Sequence, residues 1–310
     1  MKTAFVFPGQ GSQFLGMLDV WNGNHIIKDV IAVASDILDQ DLNYLIKNGP
    51  IQDLNLTINT QPIMLTIGFA YFSVWKSFGG NMPFLMAGHS LGEYTALVAA
   101  ESILFEDALR LVRIRAEAMQ SAVPIGLGAM AAIIGLNPEE VISICRSNSI
   151  DGYIVEAVNF NSPVQTVIAG HKHAVDKVCN EAKDSGAKKT ILLPVSAPFH
   201  SSLLKPAALT LSGFIDNINV FAPKIDVINN VDVAIYRDSF EIKDALIRQV
   251  WKPVRWVEII NKMSALGITH IIEFGPGNVL SNFIKRIDSN LSVISIKDPK
   301  SLDDSLSFLH

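Results

Sequence analysis

Gly88-His89-Ser90-Leu91-Gly92 has the form G-x-S-x-G, in which a strand turns sharply into a helix and leaves a serine hydroxyl exposed at the tip. The flanks have the right order. Residues 84–87 form a short apolar run of strand type, and residues 93–100 are good helix formers. Ser90 would then stand at a helix N-terminus, where two glycines tolerate a strained backbone and close packing. Free N–H groups of the first helical turn can bind developing negative charge there. A plain glycine-rich turn has the same five letters, so the remaining chain must supply a base and a reason for the chemistry.

Working outward, the chain has the composition of a globular α/β protein. Of its 310 residues, 49% are hydrophobic and 18% charged, enough to bury about three quarters of the unfolded surface. The longest apolar run, residues 64–75, stops at Lys76, well short of the roughly 20 residues that span a bilayer. The apolar run after Lys2 ends at Pro8, too short for a signal-peptide core; cytoplasmic residence without a membrane partner is the expectation. A net charge of −5 argues against nucleic acid as a partner, since phosphate binding needs a cationic face. Cys145 and Cys179 lack ligand or redox spacing and read as reduced, structural thiols.

Residues 4–7 read as a buried strand that opens into Gly9-Gln10-Gly11-Ser12-Gln13. This is not a dinucleotide fingerprint, because Phe14 stands where the third glycine belongs. Residues 26–48 carry apolar positions at helical spacing, and Gln61-Pro62 starts a second helical run that ends at Gly79-Gly80. From 128 to 195 the order is strand (129–135), helix (from 137), strands (153–160 and 164–169), helix (173–185) and strand (189–195), a ferredoxin-like βαββαβ unit. It reads as an insertion, after which helices at 203–215, 243–249, 254–266 and 279–286 alternate with strands at 226–229 and 270–274.

The helix that follows the elbow contains a contradiction. At 3.6 residues per turn, Ala108, Leu111, Val112, Ala118, Met119 and Ala122 lie closest in angle to Arg115, and all are apolar, while Arg110 and Arg113 fall on the polar side with Glu106 and Glu117. An inward guanidinium without a partner costs several kcal/mol. It therefore needs a carboxylate, supplied by a ligand or by a structural Asp or Glu of the protein.

A serine nucleophile also needs a base. His25 and His310 read as solvated, His171 and His173 as a surface loop, and His270 as structural. His89 should point away from the serine side in an extended backbone. His200 remains, on the proline-stiffened loop Ser196-Ala197-Pro198-Phe199-His200-Ser201, where loops carry catalytic groups. No acid announces itself as a third member, which leaves a backbone carbonyl to orient the ring.

With these residues in hand, the chain resembles malonyl-CoA:acyl carrier protein transacylases and the acyltransferase domains of polyketide synthases nearly end to end. The resemblance rests on Phe7-Pro8-Gly9-Gln10-Gly11-Ser12-Gln13, Gly88-His89-Ser90-Leu91-Gly92-Glu93-Tyr94, Asn159-Phe160-Asn161-Ser162-Pro163, Ala197-Pro198-Phe199-His200 and Glu273-Phe274-Gly275-Pro276-Gly277. It implies an α/β-hydrolase-like core with a parallel sheet, residues 1–125 and 198–310, and an inserted ferredoxin-like subdomain, residues 126–197, with the site in the cleft between. By resemblance Ser90 is the acylated nucleophile, His200 the base and later acid, and the main-chain carbonyl of Gln249 the group that holds the histidine. The N–H groups of Gln10 and Leu91 would form the oxyanion hole. Arg115 would fork onto the malonyl carboxylate, Asn161 would add a supporting hydrogen bond, and Phe199 would favour malonyl over branched extender units. Trp251-Lys252-Pro253-Val254-Arg255-Trp256 is more basic than the family leads one to expect.

The implied reaction passes malonyl from malonyl-CoA to the thiol of holo-acyl carrier protein by way of Ser90, with no bound cofactor or metal and no need for more than a monomer. A freestanding polyketide transacylase would look much the same. A thioester hydrolase on this fold would use the same elbow with water as acceptor, and family members that edit chains usually lack an arginine where Arg115 stands.

Overall fold

The computed structural model describes residues 2–21, 23–150, 152–195 and 197–308; Ser196 of the histidine loop and His310 lie outside them. Among the described residues nine strands form two sheets: β1 (Thr3–Phe7), β2 (Leu85–Gly88), β3 (Gly128–Ile134), β4 (Val155–Ser162), β5 (Gln165–His171), β6 (Lys189–Leu192), β7 (Asp226–Ile228), β8 (His270–Phe274) and β9 (Ser292–Ile296). The larger sheet runs β7-β2-β1-β8-β9 with every pairing parallel. Parallel strands require crossovers, and helices cover both faces, so the inner strands β1 and β2 are buried and almost wholly apolar rather than alternating with polar residues. Along β1, Phe5 and Phe7 face one apolar cluster while Ala4 and Val6 face the other.

The first cluster is built on the helix Thr57–Ser77. Its Phe72 and Trp75 meet Phe5 and Phe274 edge-on with ring centroids 5.7–6.3 Å apart, and Phe5 and Phe274 meet each other tilted at 4.8 Å. This helix starts a turn before the expected Gln61-Pro62 and carries Pro62 within it. Pro62 lies in the second turn and gives up one intrahelical bond, to the Ile58 carbonyl, while Thr60 Oγ1 donates to the carbonyls of Leu54 and Leu56 at the helix start. The expected helical run over 26–48 is two helices, His25–Leu38 and Leu42–Asn48. They break at Asp39, which is left-handed at φ 49°, and the second is capped by the Asp41 side chain accepting from the Tyr44 N–H. Strand β9 and the helix Pro299–Phe308 were not anticipated from the sequence.

The smaller sheet is antiparallel, ordered β4-β5-β3-β6. Helices Pro138–Asn148 and Lys172–Asp184 cover one of its faces in a cluster that buries both free cysteines. Its other face gives Met130, Ala132, Val158, Val167 and Ala169 to the core of the larger unit. The chain before helix Trp256–Ala265 is stitched to β4 by Val254 N–H donating to the Val158 carbonyl (2.8 Å) and Phe160 N–H donating to the Val254 carbonyl (3.0 Å). The result is a mixed α/β fold of a parallel sheet and a ferredoxin-like unit packed against each other.

Candidate active site

Ser90 stands two residues past the end of β2 and two before helix Gly92–Ala99, in the left-handed region at φ 53°. The two glycines are steric requirements. A Cβ on Gly88 would lie 1.8 Å from the carbonyl carbon of Gly92, and one on Gly92 would lie 2.0 Å from the Phe7 carbonyl oxygen. The strained serine is held by its own backbone: its N–H donates to Asn230 Oδ1 (2.7 Å), and its carbonyl accepts from Gln249 Nε2 (3.0 Å).

His200 arrives from the loop after β6, also left-handed at φ 63° and only 3% exposed. Its Nε2 stands 2.7 Å from Ser90 Oγ, and its Nδ1 is 2.8 Å from the Gln249 carbonyl. A carbonyl can only accept, so Nδ1 carries the proton and Nε2 is left to accept from the serine. Burial, reinforced by the charge of Arg115, pushes the imidazole pKa down to about 3. The ring is neutral at physiological pH.

Arg115, on helix Phe105–Ser121, is 1% exposed. Nη1 donates to Gln61 Oε1 (2.6 Å); Nη2 donates to Gln249 Oε1 (3.0 Å) and to Ser90 Oγ (3.3 Å). Its plane lies over the Tyr94 ring at 5.3 Å. Its Nε is buried without a partner. No ion pair reaches it among the described residues, so the structural carboxylate that the sequence left open is absent there, and burial lowers its pKa.

These side chains open on a cavity of about 100 Å³ lined also by Gln10, Leu91, Met119, Met130, Leu193 and Phe199. Among the described residues, neither the Gln10 nor the Leu91 N–H donates within the protein. Gly9 lets the β1 turn approach the elbow, since a Cβ there would lie 2.6 Å from the His89 carbonyl oxygen. The volume suits a small acyl group rather than a nucleotide.

Two other expected residues meet beside the elbow. His89 is among the residues that border the cavity, and its ring is held by Asn161, with Nε2 2.8 Å from Asn161 Oδ1, and lies 5.5 Å from Trp256; neither partner lines the cavity. Burial lowers the His89 pKa to about 4. Away from the site, His171 Nδ1 accepts from the Ile154 N–H (2.9 Å), a structural use. The basic Trp251 segment is partly neutralised, as Arg255 pairs with Glu258, while Lys252 and Lys205 both lie over the Trp251 ring at 4.3 and 5.0 Å.

Sequence reasoning missed a buried polar layer beneath the site. Glu93 Oε2 accepts from Gln249 Nε2 (2.8 Å) and from the Asn230 N–H (2.9 Å), and Asn230 Nδ2 donates to the Gly88 carbonyl (2.7 Å). Burial pushes the Glu93 carboxyl up to about 7 against these bonds and the charge of Arg115. The available signals were an acid in an otherwise apolar helix and an Asn-Asn pair just past the carboxyl end of a parallel strand, where sites of α/β sheets gather.

Residues 4–290 match the model of the acyl transferase domain. The malonyl CoA-acyl carrier protein transacylase of Salmonella typhimurium is 47% identical over 307 residues, 99% of each chain. The crystal structure of an acyl-carrier-protein S-malonyltransferase from Burkholderia pseudomallei superposes with TM-score 0.97 at 54% identity, covering 99% of this chain and 100% of that one. A malonyl-transacylase solved in complex with a type II polyketide-synthase acyl-carrier protein gives TM-score 0.97 at 45% identity, with 99% and 100% covered. A match across this length and at this identity, over a site of this geometry, makes the chain a member of the acyl transferase family and an acyltransferase.

Proposed function

We propose that the chain transfers a malonyl group from malonyl-CoA to the phosphopantetheine thiol of an acyl carrier protein through a malonyl ester on Ser90. The observation that carries this reading is Arg115: a buried cation with only neutral acceptors, 3.3 Å from the serine oxygen. A malonyl carboxylate placed on it brings the thioester carbonyl to Ser90, and the planar fork matches a carboxylate in two bonds.

In the first half-reaction Ser90 Oγ attacks the thioester carbon while His200 Nε2 takes its proton. The oxyanion forms against the N–H groups of Gln10 and Leu91, each worth roughly 3 kcal/mol in such sites. The Gln249 carbonyl stabilises the imidazolium, which explains how the dyad works without an acid. As the tetrahedral intermediate collapses, the C–S bond breaks and the CoA sulfur leaves with the proton from His200. In the second half-reaction the carrier thiol gives its proton to His200, its sulfur attacks the ester carbon, and Ser90 departs reprotonated. Asn161 supports the wall through His89, and Phe199 limits the cavity to an unbranched acyl chain. The parts divide at residues 125/126 and 197/198. The protein works as a cytoplasmic monomer, with no resident cofactor or metal and with neither nucleic acid nor membrane as partner.

Intact mass tests the reading. Malonyl-CoA should add one malonyl group that persists in buffer and is removed by holo-acyl carrier protein. An adduct that water clears as fast as the carrier does would make the protein a thioester hydrolase instead.

A further inference from the structure

We propose that Glu93 is a positioning residue for malonyl recognition: its carboxyl locks the side-chain amide of Gln249 so that an oxygen, rather than an NH2, faces Arg115. The proposal rests on the malonyl-transfer reading above. Gln249 is fully buried, and its amide can face either way only if its surroundings permit. Nε2 faces three oxygens, Glu93 Oε2 at 2.8 Å, Ser90 O at 3.0 Å and, at the outer limit of a hydrogen bond, Asn230 Oδ1 at 3.5 Å, while Oε1 accepts from Arg115 Nη2 at 3.0 Å. A flipped amide would set oxygen against these oxygens and NH2 against a guanidinium. Glu93 supplies the shortest of the bonds that forbid the flip.

The spacing of charges gives this arrangement a purpose. Glu93 is buried in the same layer as Arg115 yet makes no ion pair with it; the Gln249 amide stands between them. A direct ion pair would occupy the fork that must take the substrate carboxylate. Through the amide, Glu93 fixes how Arg115 is aimed and leaves its fork open. Because the same oxygen also holds the Asn230 N–H, and Asn230 holds the Ser90 N–H, removing Glu93 also disturbs the nucleophile. The informative quantity is therefore the malonyl-to-acetyl ratio of kcat/KM, not the rate itself.

The test follows Ser90 acylation by intact mass with malonyl-CoA and acetyl-CoA. In Glu93→Ala the ratio should fall roughly tenfold, chiefly through a higher KM for malonyl-CoA. Glu93→Gln keeps an accepting oxygen and should return the ratio to within about threefold of wild type. An unchanged ratio in folded Glu93→Ala, or a Glu93→Gln ratio as low as that of Glu93→Ala, overturns the proposal. Should Glu93→Ala fail to fold, Gln249→Met removes the oxygen facing Arg115 and should lower the ratio to the same extent; an unchanged ratio there is equally fatal. If wild type takes no malonyl group, it is the functional reading that falls; if it does and the ratios hold, only the role of Glu93 falls.

Discussion

Ser90 and His200, whose side chains meet at 2.7 Å, both hold their backbones in the left-handed region, at φ 53° and 63°. A side chain with a Cβ pays for that conformation, about 1 kcal/mol or more per residue. Strain is thus placed on both partners of the reacting pair, and the surrounding hydrogen bonds of Asn230 and Gln249 hold it there.

Ser90→Gly should relieve this strain, whereas Ser90→Ala keeps it. Both variants should give no acyl-enzyme by mass, and the glycine variant should be more stable than the alanine variant by about 1 kcal/mol in urea denaturation. Equal stability would mean the elbow is unstrained, and a surviving adduct would move the nucleophile elsewhere.

Arg115→Ala should lower kcat/KM for malonyl-CoA by about a hundredfold or more, from the loss of charge-assisted bonds to the carboxylate, while uncharged acyl groups still load. Arg115→Lys should recover little, since an ammonium cannot fork. Steady-state kinetics with malonyl- and acetyl-CoA decide it; malonyl transfer retained in Arg115→Ala would remove Arg115 from substrate recognition.

Gly9→Ala introduces a Cβ 2.6 Å from the His89 carbonyl oxygen and so displaces the Gln10 N–H from the elbow. The expected result is a fall of about a hundredfold in kcat with the fold retained by circular dichroism, the scale for losing one oxyanion donor. A normal kcat would place the oxyanion elsewhere.

The lowered pKa of His200, about 3, has two consequences of known sign. The base is already neutral, so log kcat/KM for acylation should stay level as pH falls from 7 to 5 instead of bending near the ordinary histidine value. Stability moves the other way. Below the unfolded pKa of about 6.5 the unfolded chain takes a proton that the native ring refuses, so this contribution to stability is lost as pH falls toward the folded value. Urea midpoints at pH 7 and 5 should differ less in His200→Asn than in wild type; an acid limb near pH 6.5 in acylation, or an unchanged pH slope in the variant, would contradict the buried neutral ring.

What the sequence revealed follows from how local each signal is. The elbow, the ferredoxin-like order and inward-facing Arg115 are written in short periods and in one breach of a period, and the structure places Ser90, His200, Arg115, Gln10 and Leu91 around one cavity. The layer of Glu93, Asn230 and the Gln249 side chain was not legible, because a buried polar group announces itself only through partners brought together by tertiary structure. Strand β9 was hidden by its half-exposed position, which weakens the apolar run that marks the interior strands.

The strand order has a consequence for how the molecule comes into being. β1 is the middle strand of its sheet, and one of its two neighbours, β8, is formed by residues 270–274. During synthesis the serine leaves the ribosome well before its histidine, the carbonyl at Gln249 later still, and the sheet that carries them stays unclosed until residues 270–274 have emerged. Contacts of such long sequence separation form late and slowly. A nascent chain that stops short of β8 therefore displays the elbow sequence but is chemically silent, so the reactive serine ester can arise only on molecules whose synthesis has passed residues 270–274.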